Sequence, residues 1–270
     1  MNLRLLHLSD IHFGGENVEA LDAATAFARA TPFDLMVISG DVTQLGAPAE
    51  FAAAAAWLAG LPGPHLTLPG NHDTPWFGLV ERVRDPFGHF ERAIGPAAER
   101  AFESPSLAVR AFNTARGWQI RLNWSKGAVS RRQAERAAAG LEAAPDGAVR
   151  IAACHHPLVE AQGEPITARV RGGHAAARRL VAANTDIVLT GHLHAAFVQA
   201  LPYGDERTYA VGAGTLSLRL RGEPPGFNVL DVAGDKLTVT AMAWTGSDLI
   251  AQETWEVVLR PRSTARAFDA

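Results

Sequence analysis

Short apolar runs alternate with alanine-rich amphipathic stretches over the first 195 residues. The apolar runs predict strands at residues 3–8, 34–39, 65–68, 149–154 and 186–190. The amphipathic stretches predict helices at residues 18–30, 47–59, 130–144 and 173–183, the third of which opens with the capping-box pattern of Ser130 and Gln133. This alternation of strand and helix is typical of a largely parallel sheet covered by helices.

The pattern changes after residue 195. Segments rich in β-branched and aromatic residues, joined by turns, predict strands at residues 197–201, 207–211, 227–232, 236–244 and 253–259. Because helix signals are scarce here, we expect these strands to be antiparallel. We predict one domain over residues 1–260 and a flexible tail at residues 261–270.

Composition narrows the class of protein. The chain has 270 residues, of which 47% are hydrophobic and 20% charged, which is typical of a soluble globular protein. Its formal net charge of −3 does not predict nucleic-acid binding. Neither a membrane span nor an export signal is visible, so we expect a cytoplasmic protein that binds neither nucleic acid nor membrane.

Ten histidines stand against one cysteine. A single cysteine excludes an internal disulfide and a zinc site built from several thiolates. If the protein binds a metal, imidazole and oxygen ligands must hold it.

Polar clusters follow five of the predicted strands. They are Asp10-Ile11-His12, Gly40-Asp41, Gly70-Asn71-His72-Asp73, His155-His156 and Gly191-His192-Leu193-His194. Since α/β sheets bind ligands at the carboxyl ends of their strands, all five clusters could converge on one crevice. Each cluster alone also has an ordinary explanation, such as a turn-capping aspartate or a hydrogen-bonded histidine. The ordered set, with each member at a strand end, favours a shared site.

This ordered set resembles the motifs of the calcineurin-like metallophosphoesterases, and the likeness covers at least residues 3–195. Residues 39–44, 85–88 and 113–117 resemble the bacterial branch that includes class III cyclic-nucleotide phosphodiesterases. The resemblance implies a four-layer α/β/β/α sandwich of two mixed β-sheets flanked by helices. It also implies that the C-terminal strands complete the second sheet.

The resemblance further implies a centre of two metal ions. Its ligands would be Asp10, His12 and His194 for one ion and Asn71, His155 and His192 for the other, with Asp41 bridging both. A shared carboxylate offsets the repulsion between paired cations, and a hydroxide that bridges them would attack the phosphorus. Manganese, iron, zinc and cobalt all suit such a mixed ligand set, and the sequence does not choose among them.

Three further features of this region lead to predictions. His72 resembles the family's non-ligand histidine that contacts phosphate and protonates the leaving oxygen, and Asp73 is expected to orient that ring and raise its pKa. His155 is favoured over His156 as the ligand because of its spacing to Pro157. The aromatic-rich segment 74–104 could form one wall of the substrate pocket or a satellite hydrophobic cluster, and residues 163–173 are a second candidate wall.

The implied activity is that of a binuclear metal-dependent phosphodiesterase. Its substrate would be a small-molecule phosphodiester, with 3′,5′-cyclic nucleotides as the first candidate. A glycerophosphodiesterase or a broad-specificity phosphomonoesterase would use the same metal centre. A non-catalytic scaffold is disfavoured because every ligand position is filled. The sequence leaves the oligomeric state open, a homo-oligomer included.

Overall fold

The computed structural model describes residues 2–120, 123–162 and 170–261. The strands are β1 (Asn2–Leu8), β2 (Leu35–Ser39), β3 (His65–Leu68), β4 (Glu99–Ser104), β5 (Leu107–Phe112), β6 (Val149–Ala153), β7 (Ile187–His194), β8 (Phe197–Ala200), β9 (Tyr209–Gly214), β10 (Gly226–Ala233), β11 (Lys236–Trp244) and β12 (Leu249–Val258). The helices are α1 (Val18–Ala30), α2 (Pro48–Ala59), α3 (Leu79–Arg84), α4 (Gly88–Ala93), α5 (Arg131–Glu142) and α6 (Gly173–Ala182). Residues 262–270 of the predicted tail and residues 163–169 of the second candidate wall lie outside the described residues.

The strands form two mixed six-stranded sheets. The first sheet has the order β12-β11-β10-β1-β2-β3, with β1, β2 and β3 parallel and the other pairs antiparallel. The second has the order β4-β5-β6-β7-β9-β8, with parallel pairing from β5 through β6 and β7 to β9. The parallel strands of both sheets bring their carboxyl ends to one edge of the molecule.

Alternating side chains of the strands build the layers, because neighbouring residues in a strand face opposite sides of the sheet. In β1, Leu3 and Leu5 join the core between the two sheets. Leu6 and Leu8 face α1 and α2 in a second core. A third core lies between the second sheet and the alanine-rich faces of α5 and α6. Three cores between four layers confirm the predicted α/β/β/α sandwich.

Side chains cap the first turns of α5 and α1. Ser130 accepts a hydrogen bond from the backbone N–H of Gln133, 3.2 Å away, and the Gln133 side chain returns to the backbone N–H of Ser130, which is the predicted capping box. Asn17 caps α1 in the same manner by accepting from the N–H of Ala20. Within the described ranges, no helix combines the length and apolar character that a membrane span needs.

The placement of the C-terminal strands agrees with the prediction for β8 and β9, which join the second sheet, and differs from it for the last three strands. Strands β10, β11 and β12 extend the first sheet rather than the second, because β10 pairs with the edge of β1, whose backbone groups would otherwise be unpaired. Strand β9 pairs in parallel with β7, so the antiparallel prediction is wrong for that pair. Strands β4 and β5 were not predicted: β4 is a polar edge strand with little apolar periodicity, whereas β5 is a short apolar strand within the segment between β3 and α5.

The core between the sheets offers a direct test of this layering. Leu5 lies at the centre of that core and is fully buried. We expect Leu5→Ala to lower the free energy of unfolding by about 2–5 kcal/mol, because it leaves a cavity between two sheets that cannot close around it. Urea denaturation measures the effect. The control Ile250→Ala removes a half-exposed side chain from the edge strand β12 and should cost about 0.5 kcal/mol or less. Equal costs for the two variants would contradict the layering.

Candidate metal centre

The carboxyl ends of five strands place all seven predicted ligands together. Strands β1, β2 and β3 of the first sheet lead into Asp10 with His12, Asp41 and Asn71, and strands β6 and β7 of the second sheet lead to His155, His192 and His194. All seven side chains are buried. The cluster therefore lies where the two sheets meet.

One group of potential ligands centres on Asp10. Its Oδ1 lies 3.0 Å from His194 Nε2 and 3.8 Å from His12 Nε2. The two imidazole Nε2 atoms are 3.5 Å apart. These three side chains can hold one metal ion.

Asp41 lies between this group and a second group of potential ligands, which includes His155 and His192. Its Oδ2 is 3.9 Å from His12 Nε2 and 3.3 Å from His155 Nε2. His155 and His192 lie near each other, with ring centroids 5.3 Å apart. A carboxylate in this position can be shared by two ions, which is the geometry that the bridging role of Asp41 needs.

Backbone carbonyls orient three of the candidate histidines in the same way. The Nδ1 atoms of His12, His155 and His194 lie 3.2, 2.8 and 2.7 Å from the carbonyl oxygens of Thr43, Ser39 and Arg219 respectively. A carbonyl oxygen only accepts, so each Nδ1 carries the proton and each Nε2 presents its lone pair to the centre. Hydrogen bonds of this kind hold metal-binding histidines in most protein sites.

Three buried polar atoms at the centre make no hydrogen bond within the described residues. They are Asp10 Oδ1, Asn71 Oδ1 and His155 Nε2. Buried polar atoms without partners are rare, because each one costs free energy. All three are lone-pair donors, so bound cations would satisfy them, and the residues present fit a metal centre.

The backbone at the centre is strained. Among the described residues, seven non-glycine residues have positive φ, and five of them are predicted ligands: Asp10 (53°), His12 (55°), Asp41 (49°), His192 (71°) and His194 (62°). The left-handed region is unfavourable for residues with a Cβ, so the surrounding structure must impose it. Backbone strain that is concentrated in one cluster of residues indicates a functional site.

The motif glycines allow the ligand loops to approach one another. A Cβ at Gly70 would lie 2.1 Å from Asp41 Oδ1 and 2.4 Å from the Asp41 backbone nitrogen. A Cβ at Gly191 would lie 1.8 Å from Ser9 Oγ and 2.6 Å from Asp10 Oδ2. Both glycines are therefore required by close packing around the two carboxylates.

Burial and charge set the protonation of the centre. Burial lowers the pKa of His12 to about 4 and that of His192 to about 3, so both rings are neutral at pH 7 and able to bind a cation. At His155 burial also acts to lower the pKa, but the carboxylates of Asp41 and Asp10 outweigh it and raise the pKa to about 9. Without a metal Nε2 therefore also carries a proton at pH 7, which a bound cation would displace to reach the lone pair. The same pairing holds the pKa of Asp41 well below its usual value against the opposing effect of burial.

His156 differs from His155 in its hydrogen bonds. Its Nδ1 lies 2.8 Å from Thr114 Oγ1, and its Nε2 lies 2.7 Å from the carbonyl oxygen of Ser125. Both nitrogens of His156 are thus occupied, whereas His155 Nε2 has no hydrogen-bond partner. This difference favours His155 as the ligand.

Asp73 does not contact the His72 ring, so its predicted role in orienting that ring is wrong. Its carboxylate accepts from the backbone N–H groups of Val42, Thr43 and Gly70 and from Thr43 Oγ1. Burial and the charge of Asp41 raise the pKa of Asp73 to about 7 despite these donors. Asp73 therefore joins the loops after β2 and β3, which carry Asp41 and Asn71.

His72 lies beside the buried cluster and faces a cavity. Its Nδ1 lies 2.7 Å from the carbonyl oxygen of Gln44, and its Nε2 accepts from Arg219 Nη1 at 2.8 Å. The Trp76 indole lies nearly parallel to the imidazole, with ring centroids 6.2 Å apart and 9° between the planes. The backbone N–H of His72 donates to Asp41 Oδ1 over 2.8 Å.

A cavity of about 600 Å³ adjoins this cluster. Its lining comprises Asn71, His72, Trp76, Leu79, Arg82, Asn123, Trp124, Ser125 and Arg219. The start of the 74–104 segment therefore forms one wall, as one of the two interpretations predicted. Later parts of that segment do not reach the cavity, because Phe90 packs in the core beneath α2 and His89 pairs with Glu81.

Sequence reasoning did not identify Trp124 or Arg219 as pocket residues. Arg219 lies on the loop after β9, and its backbone carbonyl also accepts the hydrogen bond from His194. No motif marks these positions, and the only sequence signal is the pair of arginines at 219 and 221, a short distance beyond His194.

Comparison with known proteins agrees with this geometry. A model of the calcineurin-like phosphoesterase family matches residues 3–196. The curated protein named glycerophosphodiester phosphodiesterase GpdQ, from Enterobacter lignolyticus, is 37% identical over 81 residues, which is 26% of this chain and 29% of that protein. A probable cyclic nucleotide phosphodiesterase from Synechococcus is 29% identical over 84 residues, 28% of this chain and 33% of that protein. The matches thus span a third or less of either relative's length.

Solved structures share the fold at low sequence identity. The purple acid phosphatase PPD1 from yellow lupin seeds superposes with a TM-score of 0.66 and 12% identity, covering 96% of this chain and 54% of that one. Vacuolar protein sorting 29 from Cryptosporidium parvum gives a TM-score of 0.53 and 12% identity, covering 95% and 98% of the two chains. At such identities the likeness shows the fold alone.

Close packing at Gly70 generates a prediction about the centre. We expect Gly70→Ala to displace Asp41, because the new Cβ would overlap both its carboxylate and its backbone nitrogen. The purified variant should retain less metal than the wild type, as measured by elemental analysis after dialysis. Gly60→Ala is the control, since a Cβ there meets only ordinary contacts at 3.4 Å and beyond. Unchanged metal content in Gly70→Ala would contradict the proposed packing.

Proposed function

This chain belongs to the calcineurin-like phosphoesterase family, and we propose that it is a metal-dependent phosphodiesterase that hydrolyses a small phosphodiester at a centre of two ions. The observation that carries the proposal is the buried cluster at the strand ends, with unpartnered lone pairs on Asp10, Asn71 and His155. The curated relatives named as phosphodiesterases support the same reaction class.

The ligand set proposed for the centre follows the two groups of side chains. Asp10, His12 and His194 would hold one ion, Asn71, His155 and His192 the other, and Asp41 would serve both. When bound, such a metal pair supplies an activated water as nucleophile and neutralises charge on the phosphoryl group. Because Asn71 contributes a neutral amide oxygen, the set carries fewer negative charges than an all-carboxylate centre and suits an anionic substrate.

His72 is the proposed proton donor to the leaving oxygen. Its ring lies 4.7 Å from that of His12, measured between centroids, so it borders the centre without belonging to the ligand set. Gln44 accepts from Nδ1 and fixes the ring, which leaves Nε2 as the atom that faces the cavity and can deliver a proton.

The aromatic lining of the cavity favours a substrate with a planar group. Trp76 and Trp124 both line it, and indole rings stack favourably on nucleobases, by about 1–3 kcal/mol for each base. Its volume of about 600 Å³ is ordinary for a small-molecule site. We therefore propose a 3′,5′-cyclic nucleotide as the first substrate candidate. A glycerophosphodiester is the second, because the relative at 37% identity bears that activity in its name.

A panel of substrates tests this function. The metal-reconstituted protein should hydrolyse bis-p-nitrophenyl phosphate and at least one of cyclic AMP and a glycerophosphodiester, because its polar groups converge beside a cavity of about 600 Å³. Initial rates are compared with those on p-nitrophenyl phosphate, the matched monoester. Turnover of the monoester well above that of every diester would overturn the proposal, and a preference between cyclic AMP and the glycerophosphodiester decides between the two candidates.

Two variants separate proton donation from metal binding. We expect His72→Ala to retain both ions but to lose about 10²–10⁴-fold in turnover, the usual contribution of a general acid. Asp41→Ala should lose at least one ion, because it removes the shared carboxylate. Metal content and turnover are measured on the same samples, with His89→Ala as a histidine control from the surface pair with Glu81. Metal loss in proportion to activity in His72→Ala would refute its assignment.

A further inference from the structure

The loop after β9 is anchored to the candidate metal centre by a series of hydrogen bonds. Thr215 Oγ1 donates to the backbone carbonyl of Asp10 at 2.6 Å and lies 2.7 Å from Ser217 Oγ. Ser217 Oγ in turn accepts from the backbone N–H of Arg219, 3.2 Å away. The carbonyl of Arg219 accepts from His194 Nδ1 at 2.7 Å. The backbone of Arg219 is therefore held in place by the same residues that surround the centre.

The side chain of Arg219 blocks the functional nitrogen of His72. His72 Nδ1 must carry a proton, since it lies 2.7 Å from a carbonyl oxygen of Gln44 that can only accept. A neutral ring then has a bare Nε2, and Arg219 Nη1 donates to it at 2.8 Å. In this arrangement the nitrogen that faces the cavity is occupied by a guanidinium and is closed to any leaving group.

Arg219 also lacks a carboxylate partner. None of the lysine or arginine ion pairs within the described part of the chain includes it. Among the side chains that the structure describes, only the His72 ring is hydrogen-bonded to its guanidinium. A guanidinium is permanently charged and presents several donors in a plane that suits phosphate oxygens. An unpaired guanidinium on the wall of this cavity can therefore bind an anion.

We propose that Arg219 binds the phosphoryl group of the substrate and, in the empty site, caps His72 Nε2. A non-bridging phosphoryl oxygen takes over the hydrogen bonds of the guanidinium, and Arg219 leaves His72. Nε2 can then take up a proton from solvent and deliver it to the leaving oxygen, so the ring acts as a proton donor only when a phosphoester is present. This inference rests on the proposed function and adds a specificity-determining residue to it. It also explains why the proton donor is capped by a cation in the empty site.

Steady-state kinetics test the binding role. On bis-p-nitrophenyl phosphate, Arg219→Gln should raise KM by about 10- to 100-fold, the usual effect of losing a hydrogen bond to a charged group, with a smaller change in kcat. Arg219→Lys should recover part of the loss, because it restores the charge without the planar donors. Arg84→Gln removes the same charge from the exposed end of α3 and should leave KM unchanged. Thermal melting and metal content establish that each variant is folded and loaded.

Nitrogen NMR of histidine-labelled, zinc-loaded protein tests the capping role independently of turnover. The His72 signals, assigned by their absence from His72→Ala, should show protonated Nδ1 and unprotonated Nε2. Added inorganic phosphate should shift the Nε2 signal in the wild type and in Arg84→Gln, but not in Arg219→Gln.

The outcomes that would overturn this proposal differ from those that would overturn the function. An unchanged KM in Arg219→Gln, a loss confined to kcat, or a His72 Nε2 signal that does not respond to phosphate in the wild type would each refute it. A wild-type protein that hydrolyses no phosphoester would refute the proposed function instead. In that case the NMR measurement still decides whether Arg219 caps His72 and whether phosphate displaces it.

Discussion

The structure depends on the burial of two carboxylates, Asp10 and Asp41, at neighbouring strand ends. Removal from water opposes the charged form of each, and the charge of Asp41 also raises the pKa of Asp10 and of Asp73. The net pKa of both nevertheless lies below the usual value, because imidazoles surround them. Buried charges are stable only when they are paired and hydrogen-bonded. Since Asp10 Oδ1 makes no hydrogen bond, bound cations would complete the compensation.

This requirement explains the form of the backbone around the centre. Side chains from two sheets must reach a common point, and five of the seven predicted ligand residues have left-handed backbone conformations there. Hydrogen bonds that cross between the sheets hold them there, from His155 Nδ1 to the Ser39 carbonyl at 2.8 Å and from the His192 N–H to Asp10 Oδ2 at 2.8 Å. Asp73 acts likewise within the first sheet by accepting from the loops after β2 and β3. The centre and the sandwich therefore stabilise each other.

The cavity differs from the centre in the kind of segment that forms it. Its walls come from irregular segments, where Trp76 is about half exposed and where the Arg82 guanidinium lies 5.6 Å from the centre of the Trp124 ring. Such segments can vary without disturbing the strand ends. The proposed reaction class and the proposed substrate choice therefore rest on separate parts of the chain. Arg219 connects the two parts, because its backbone orients His194 while its side chain contacts His72.

The sequence by itself determined the alternation of strands and helices in the parallel parts of the fold, and its motifs marked the residues that are proposed as ligands. Periodicity and glycine-bearing motifs are local signals, and β3 and β11 have the predicted bounds. Only the tertiary structure decided that β10 to β12 pair with β1, that Asp73 joins two loops rather than orienting His72, and that His156 is occupied by Thr114 and Ser125. Each of these depends on contacts between distant segments, which no local pattern encodes. Arg219 shows the same limit, since 147 positions separate it from the ring that it caps.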